Sequence, residues 1–246
     1  LQTLVFLEDT SQLIQHAQQL KLASLGRLTA GIAHEIRNPL GAISHAAQLL
    51  HESPALDTAD LRLPQIIQDQ SRRMNTVIEN VLQLSRQRQA EPQQLDLKRW
   101  LQDFTDEFKS NTTANRTLHL ITKDKSLMTR MDPEQLNQVL NNLVENGLRY
   151  SGQRNAQSQV WLHLYRHRRT GLPTLEVHDD GPGITPIDQQ SLFEPFFTTE
   201  NKGTGLGLYI SRELCESNQA HLDFTPRDKG GSCFRITFAH PSQVSA

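Results

Sequence analysis

The sequence predicts an α+β protein in two parts, an amphipathic helical hairpin followed by a globule of mixed strands and helices. Three observations predict it. A length of 246 residues suits one large domain or two ordinary ones. Apolar residues recur at steps of three and four from about Leu20 to Arg88. After Glu91-Pro92 the pattern shortens into strand-like runs mixed with helical stretches.

The first 18 residues open on Leu4-Val5-Phe6-Leu7, a strand-like run, and Glu8-Asp9-Thr10-Ser11, a turn or helix start. They read as the last strand of an upstream unit and a helical connector. The first residue is Leu1, so a longer protein is expected around this piece. Residues 19–91 carry two stripes. Leu25, Leu28, Ile32, Ile36, Leu40, Ile43, Ala47 and Leu50 form the first, and Leu63, Ile67, Met74, Val77, Ile78, Val81 and Leu84 the second. A break at Ser53-Pro54 to Asp60 separates them. Such a hairpin has an apolar side that nothing else in the chain covers, and a second copy would complete a four-helix bundle about a two-fold axis.

In residues 92–246, strands are expected at Leu118–Lys123, Gln159–Tyr165, Pro173–Asp179 and Cys233–Phe238, and helices at Asp132–Tyr150 and from Thr204 to about Ser217. A basic hairpin around Thr170-Gly171 joins the second and third strands. Counting glycine and leaving out tyrosine, apolar residues are about 40% of the chain, below the usual ~45–50%. The net charge of −2 gives no support to a phosphate-neutralising nucleic-acid binder. Cys215 and Cys233 show no pairing pattern, and no His stands at metal-ligand spacing. Neither a disulfide framework nor a zinc site is expected, and a reducing compartment is. Cys215 reads as a small apolar group, and His163 and His178 as solvent-facing strand residues.

Four constellations carry chemistry. In His34-Glu35-Ile36-Arg37-Asn38-Pro39, His34 lies about 200° around the helix from Ile32 and Ile36 and points away from the stripe. Glu35 can fix its tautomer and leave one ring nitrogen nucleophilic. Asn38, one turn on, can orient a water, and Pro39 can bend the helix. In the second, Asp132 suits an N-cap, Pro133 the first helical position and Gln135 the capping-box partner. Asn142, Asn146, Arg149 and Tyr150 then share a helix face. That face suits a Mg²⁺-phosphate group or simply faces solvent. Gly147 hints at a close approach there. In the third, Asp179 ends a strand at the turn Asp180-Gly181-Pro182-Gly183, where its carboxylate can take a hydrogen bond from an exocyclic amine such as adenine's. The fourth, Lys202-Gly203-Thr204-Gly205-Leu206-Gly207, precedes a helix and can cradle an anion on its N–H groups. Between the last two, Phe193, Phe196 and Phe197 fit either a movable lid or core packing.

Taken in this order, these motifs resemble the sensor histidine kinases of two-component systems, from about Leu20 to Phe238. Gly26 to His34 and Asn38 to Ile43 are similar to the nitrogen-regulator and type IV pilus group, the pilus type being favoured. The resemblance implies a homodimeric four-helix bundle from 19–91, for dimerisation and histidine phosphotransfer. It implies a Bergerat-type (GHKL) α/β sandwich in 92–246 that binds ATP and Mg²⁺, and makes 1–18 the end of a PAS-like sensor. His34 would accept the phosphoryl group, with Glu35 as base and Asn38 serving hydrolysis of the regulator's phosphate. Asn146 would hold Mg²⁺, with Asn142, Arg149 and Tyr150 around the phosphates. Asp179 would bind adenine beside Gly181 and Gly183. Phe193, Lys202, Gly203, Thr204, Gly205, Leu206 and Gly207 would complete the ATP site. Arg149, Gly147 and Asp180 stand where Lys, Ala and Asn are commoner.

The implied partners are a second copy and the receiver domain of a response regulator, expected to be a σ54-dependent activator, with no direct nucleic-acid contact. The implied place is the cytoplasmic side of an inner membrane, reached only through upstream segments. Two rivals remain: a nucleotide clamp of the same fold that transfers no phosphoryl group, and a phosphatase-dominated scaffold.

Overall fold

The computed structural model describes residues 36–52, 62–85, 90–112, 115–200, 203–227 and 230–241. The chain divides into two compact units, Leu1–Arg88 and Gln89–Ala246.

In the first unit, α1 runs over 36–51 and α2 over Arg62–Ser85. The single stripe expected on each helix separates into two lines. Leu40 and Ala47, seven residues apart, are buried, as are Ser71 and Ile78 on α2. Ile36, Ile43 and Leu50, also spaced by seven, stay 41%, 48% and 50% exposed, and Leu63, Ile67 and Met74 are exposed on α2. A seven-residue repeat is the spacing of a coiled-coil seam, so each helix has one satisfied seam and one open one. Residues 1–18, His34, Glu35 and the 53–60 break lie outside the described residues.

The second unit comprises β1 (Gln93–Asp96), α3 (Leu97–Asn111), β2 (Arg116–Thr122), β3 (Met128–Met131), α4 (Pro133–Arg154), β4 (Ser158–Arg166), β5 (Pro173–Asp179), α5 (Asp188–Ser191), α6 (Gly207–Ser217), β6 (His221–Pro226) and β7 (Ser232–Thr237). Five strands form one sheet in the order β2-β4-β5-β7-β6, with β2 and β4 parallel and the other pairs antiparallel. β1 and β3 pair separately. Helices α3, α4 and α6 pack on the large sheet. The core lies between them: Leu136, Leu140, Leu143 and Leu148 of α4 meet the fully buried line Val160, Leu162, Leu164, Leu175 and Ile236. Side chains alternate along strands, so Trp161, His163, Tyr165, Glu176, His178 and Arg235 lie on the other face, half-buried.

β1, α3, β3, α5 and β6 have no counterpart among the expected elements. α3 is capped by Asp96, whose Oδ1 accepts from the Lys98 N–H at 3.1 Å. α4 starts as expected, with Asp132 Oδ1 accepting from the N–H groups of Glu134 and Gln135 at 2.9 and 3.2 Å. The capping-box link runs through α6. Asp132 N–H donates to Oδ1 of Asn218, and Nδ2 of Asn218 donates to Oε1 of Gln135. α6 begins at Gly207, not Thr204, because Gly205 at φ +69° has left-handed backbone that no helix accommodates. His163 and His178 also depart from expectation. Their rings stack at 4.5 Å and His178 bonds Glu176, so neither simply faces solvent.

Candidate functional site

The sequence-predicted residues of the second unit gather around the C-terminal half of α4, the end of β5 and the start of α6. α4 approaches the sheet there because Gly147 lacks a side chain. A Cβ at that position would stand 2.7 Å from Cγ2 of Val160 and 3.4 Å from Cβ of Asp179. The close approach expected at Gly147 is therefore with strands β4 and β5.

Asp179 is 3% exposed. Its Oδ1 accepts from the N–H groups of Gly181 at 2.9 Å and Ser232 at 3.0 Å. Burial pushes its carboxyl above the ordinary carboxylate value, against those hydrogen bonds. The turn that leads into β7 can come this close only as glycine. Gly231, at φ +80°, would put a Cβ 2.0 Å from the Asp179 carbonyl oxygen. Arg227 Nη1 donates to that same oxygen at 2.8 Å. Asp180 takes a hydrogen bond from the buried Ser151 hydroxyl, which itself accepts from the Gln159 N–H.

The four polar residues expected on one face of α4 divide between two neighbours. Asn142 turns to α6, where its Nδ2 donates to Ser211 Oγ at 2.8 Å and its amide lies against Gly207. Arg149 and Tyr150 turn to the segment before the glycine-rich run, and Asn146 is bonded to Arg149. Arg149 Nη2 donates to Asn146 Oδ1 at 2.7 Å, Arg149 Nε pairs with Glu200 Oε2 at 3.1 Å, and the guanidinium lies 5.3 Å from the Tyr150 ring centre. Gln153 Nε2 donates to Glu200 Oε1 at 3.0 Å, and the Tyr150 and Thr199 hydroxyls approach to 3.4 Å. Glu200, Gln153, Ser211 and Ser232 join the site without having been singled out by sequence. Polar residues in a loop and on a helix carry no periodic signal that marks them.

Gly203 lies against the Thr198 side chain and Gly205 against the Phe196 carbonyl. Thr204 Oγ1 lies 3.5 Å from the Leu206 N–H, and Leu206 is fully buried. The three Phe separate. Phe193 packs edge-to-face on Phe234 with Arg212 over its ring at 5.0 Å. Phe196, at φ +68°, is 63% exposed, and Phe197 is half-buried. Asn38 is exposed on α1 in the other unit, and Lys202 lies outside the described residues. Asn146 Oδ1 is a hard neutral oxygen of the kind Mg²⁺ takes, and it would hold the ion in place of its Arg149 hydrogen bond, with phosphate oxygens and water completing the octahedron.

Comparison with known proteins gives a consistent picture. Residues 131–242 match the family described as histidine kinase-, DNA gyrase B-, and HSP90-like ATPase, and residues 24–90 match the His Kinase A (phospho-acceptor) domain. The sensor protein kinase PilS of Pseudomonas aeruginosa is 68% identical over 98% of this chain and 46% of its own length. The sensory histidine kinase/phosphatase NtrB of Escherichia coli O157:H7 is 35% identical over 86% of this chain and 61% of its own length. The chain thus spans about half the length of the curated relatives it matches. Among solved structures, histidine kinase ThkA in complex with response regulator protein TrrA has a TM-score of 0.64 at 23% identity, covering 94% of this chain and 68% of that one. Full-length ShkA in complex with AMPPNP has a TM-score of 0.63 at 20% identity, covering 88% and 47%. These two likenesses show the fold.

Proposed function

Because the chain belongs to the sensor histidine kinases of two-component systems, we propose that its second unit binds ATP with Mg²⁺ and that the γ-phosphoryl group passes to a ring nitrogen of His34. The observation that carries this reading is Arg149 bonded to Asn146 on α4, with the buried Asp179 carboxylate at the end of β5 close to Gly147 of the same helix, beside a glycine run that leads into α6. Asp179 presents an acceptor for adenine's amine. Arg149 holds phosphate oxygens once it turns from both Glu200 and Asn146, and the Asn146 Oδ1 so released would hold the Mg²⁺. The ion supplies charge neutralisation across the phosphate oxygens.

The imidazole nitrogen forms the new N–P bond as the bond to the β–γ bridging oxygen breaks. ADP leaves, and the ring proton passes to Glu35. Such transfers need mainly positioning and charge stabilisation. The phosphoryl group then moves to an Asp of a response regulator's receiver domain, here a σ54-dependent activator. A regulator bound to ThkA in the solved complex supports a partner of this class. Asn38, exposed on α1 and four residues after His34 in the sequence, serves hydrolysis of the aspartyl phosphate, a reading that NtrB's description as kinase/phosphatase supports. The active form is a homodimer joined through 19–91, with 92–246 as its catalytic domain. No helix among the described residues is long and apolar enough to cross a membrane.

Incubation with γ-labelled ATP tests the reading. Acid-labile, base-stable label is expected on the wild type and none on His34→Gln. Asn38→Ala should keep the label while regulator dephosphorylation is lost. Label on His34→Gln, or none on the wild type, overturns it.

A further inference from the structure

The reverse face of the large sheet carries chemistry that nucleotide binding does not use. In the antiparallel register His178 of β5 stands opposite Cys233 of β7, and Glu176 is two residues before His178 on the same face. One ligand atom from each of Glu176, His178 and Cys233 lies within 4.8 Å of the other two. We propose that these three side chains form a binding site for one transition-metal ion of borderline softness, such as Zn²⁺, with water in the fourth position.

The donor types are those such an ion takes: thiolate, imidazole and carboxylate. Tetrahedral coordination needs ligand atoms roughly 3.3–3.6 Å apart, so side-chain rotations of about an ångström close the site. All three residues stand on central strands of the sheet, which fixes their backbone. The neighbours act as an outer shell. Tyr165 Oη and Arg235 Nε both donate to Oε1 of Glu176 at 2.8 Å, while Oε2 faces His178 at 3.0 Å. Oε2 is therefore the oxygen turned toward the ion. The bonds from Tyr165 and Arg235 fix the orientation of the carboxylate and leave Oε2 for the ion. His163 stacks on His178 and limits its ring orientation.

Cys233 forms the floor at 3% exposure, while the Glu176 and His178 side chains keep 14% and 17% of their surface and give entry. On binding, a metal–sulfur bond replaces the S–H bond and the thiol proton leaves to solvent. The chemistry separates this site from Asn146, whose hard oxygen suits Mg²⁺, and it does not rest on the proposed kinase function.

The full chain, stripped with chelator and kept in excess Mg²⁺ without nucleotide, is titrated with Co²⁺ and then Zn²⁺. One equivalent of Co²⁺ should produce the near-ultraviolet thiolate-to-cobalt charge-transfer band with tetrahedral visible bands, and Zn²⁺ should bleach both. Cys233→Ser should lose the charge-transfer band, and His178→Gln should weaken binding by at least about 10-fold. Circular dichroism confirms that each variant is folded. If Cys233→Ser does not fold, His178→Gln alone decides, since its affinity loss is specific to this site. Absence of the band in the wild type, its persistence in Cys233→Ser, its loss in Cys215→Ser alone, or unchanged affinity in His178→Gln overturns the proposal.

Discussion

Arg149 donates to Asn146 Oδ1 through Nη2 and pairs with Glu200 through Nε, so the groups assigned to the phosphates and the cation already hold one another. The side chains of this pair are 48% and 18% exposed, in the range where an ion pair contributes about 0.2–1 kcal/mol. A ligand that takes Arg149 must break the pair. Glu200→Gln should therefore tighten binding of a non-hydrolysable fluorescent ATP analogue by roughly 1.5- to 5-fold in equilibrium titration. Equal or weaker binding would mean that Glu200 does not compete. On the reverse face Glu176 is held at about 2 against an ordinary 4.5 by His178 first, then Tyr165 and Arg235, with burial opposing. A depressed carboxyl stabilises the fold above the unfolded value, and that stability is lost as pH falls from about 4.5 towards 2. In metal-free buffer at pH 7, Glu176→Gln should cost on the order of 2 kcal/mol, and the gap from wild type should narrow below pH 4.5. Urea unfolding followed by tryptophan fluorescence measures it, because the chain's two tryptophans, Trp100 and Trp161, both lie in the second unit. A gap independent of pH would assign the loss to packing.

At the scale of elements, Gly147 sets how close α4 comes to β4 and β5. Alanine there gains about 1 kcal/mol of helix propensity but drives a Cβ to 2.7 Å from Val160 Cγ2. Overpacking of that kind costs about 1–3 kcal/mol. Gly147→Ala should lose roughly 1 kcal/mol net in the same unfolding measurement, and Val160→Ala in the same chain should return part of it. A stabilised single variant would show that the helix can ride outward freely. Elements with long, strongly periodic patterns were legible in the sequence: α4, β4, β5, β7 and most of α6. Leu97, Leu101, Phe104 and Phe108 behind the Asp96 cap follow the same helical rule, so α3 was within reach of it. β1 and β3 were not, because four residues hold too few alternations to mark a strand.

For the whole molecule, the open seam of the first unit is the surface on which the proposed homodimer depends. Ile43 and Leu50 are half exposed in the single chain, although burying such a side chain yields about 1.5–3 kcal/mol. In the proposed homodimer a second hairpin covers them. Ile43→Glu with Leu50→Glu should halve the molar mass seen by light scattering after gel filtration, while nucleotide binding by the second unit is kept. A dimer that survives both charges would place the interface elsewhere.

The amino-acid sequence by itself determined which motifs occur, their order, and the helical or strand character of the segments that hold them, because periodicity and capping are set by near neighbours. Tertiary structure alone decided which distant residues meet. It split the face of α4, turning Asn142 to Ser211 and Arg149 to Glu200. It also set Cys233 across from His178, though spacing along the chain showed no metal ligands there. Strand register and helix approach are fixed by packing of the shared core, and that information is spread over the whole second unit.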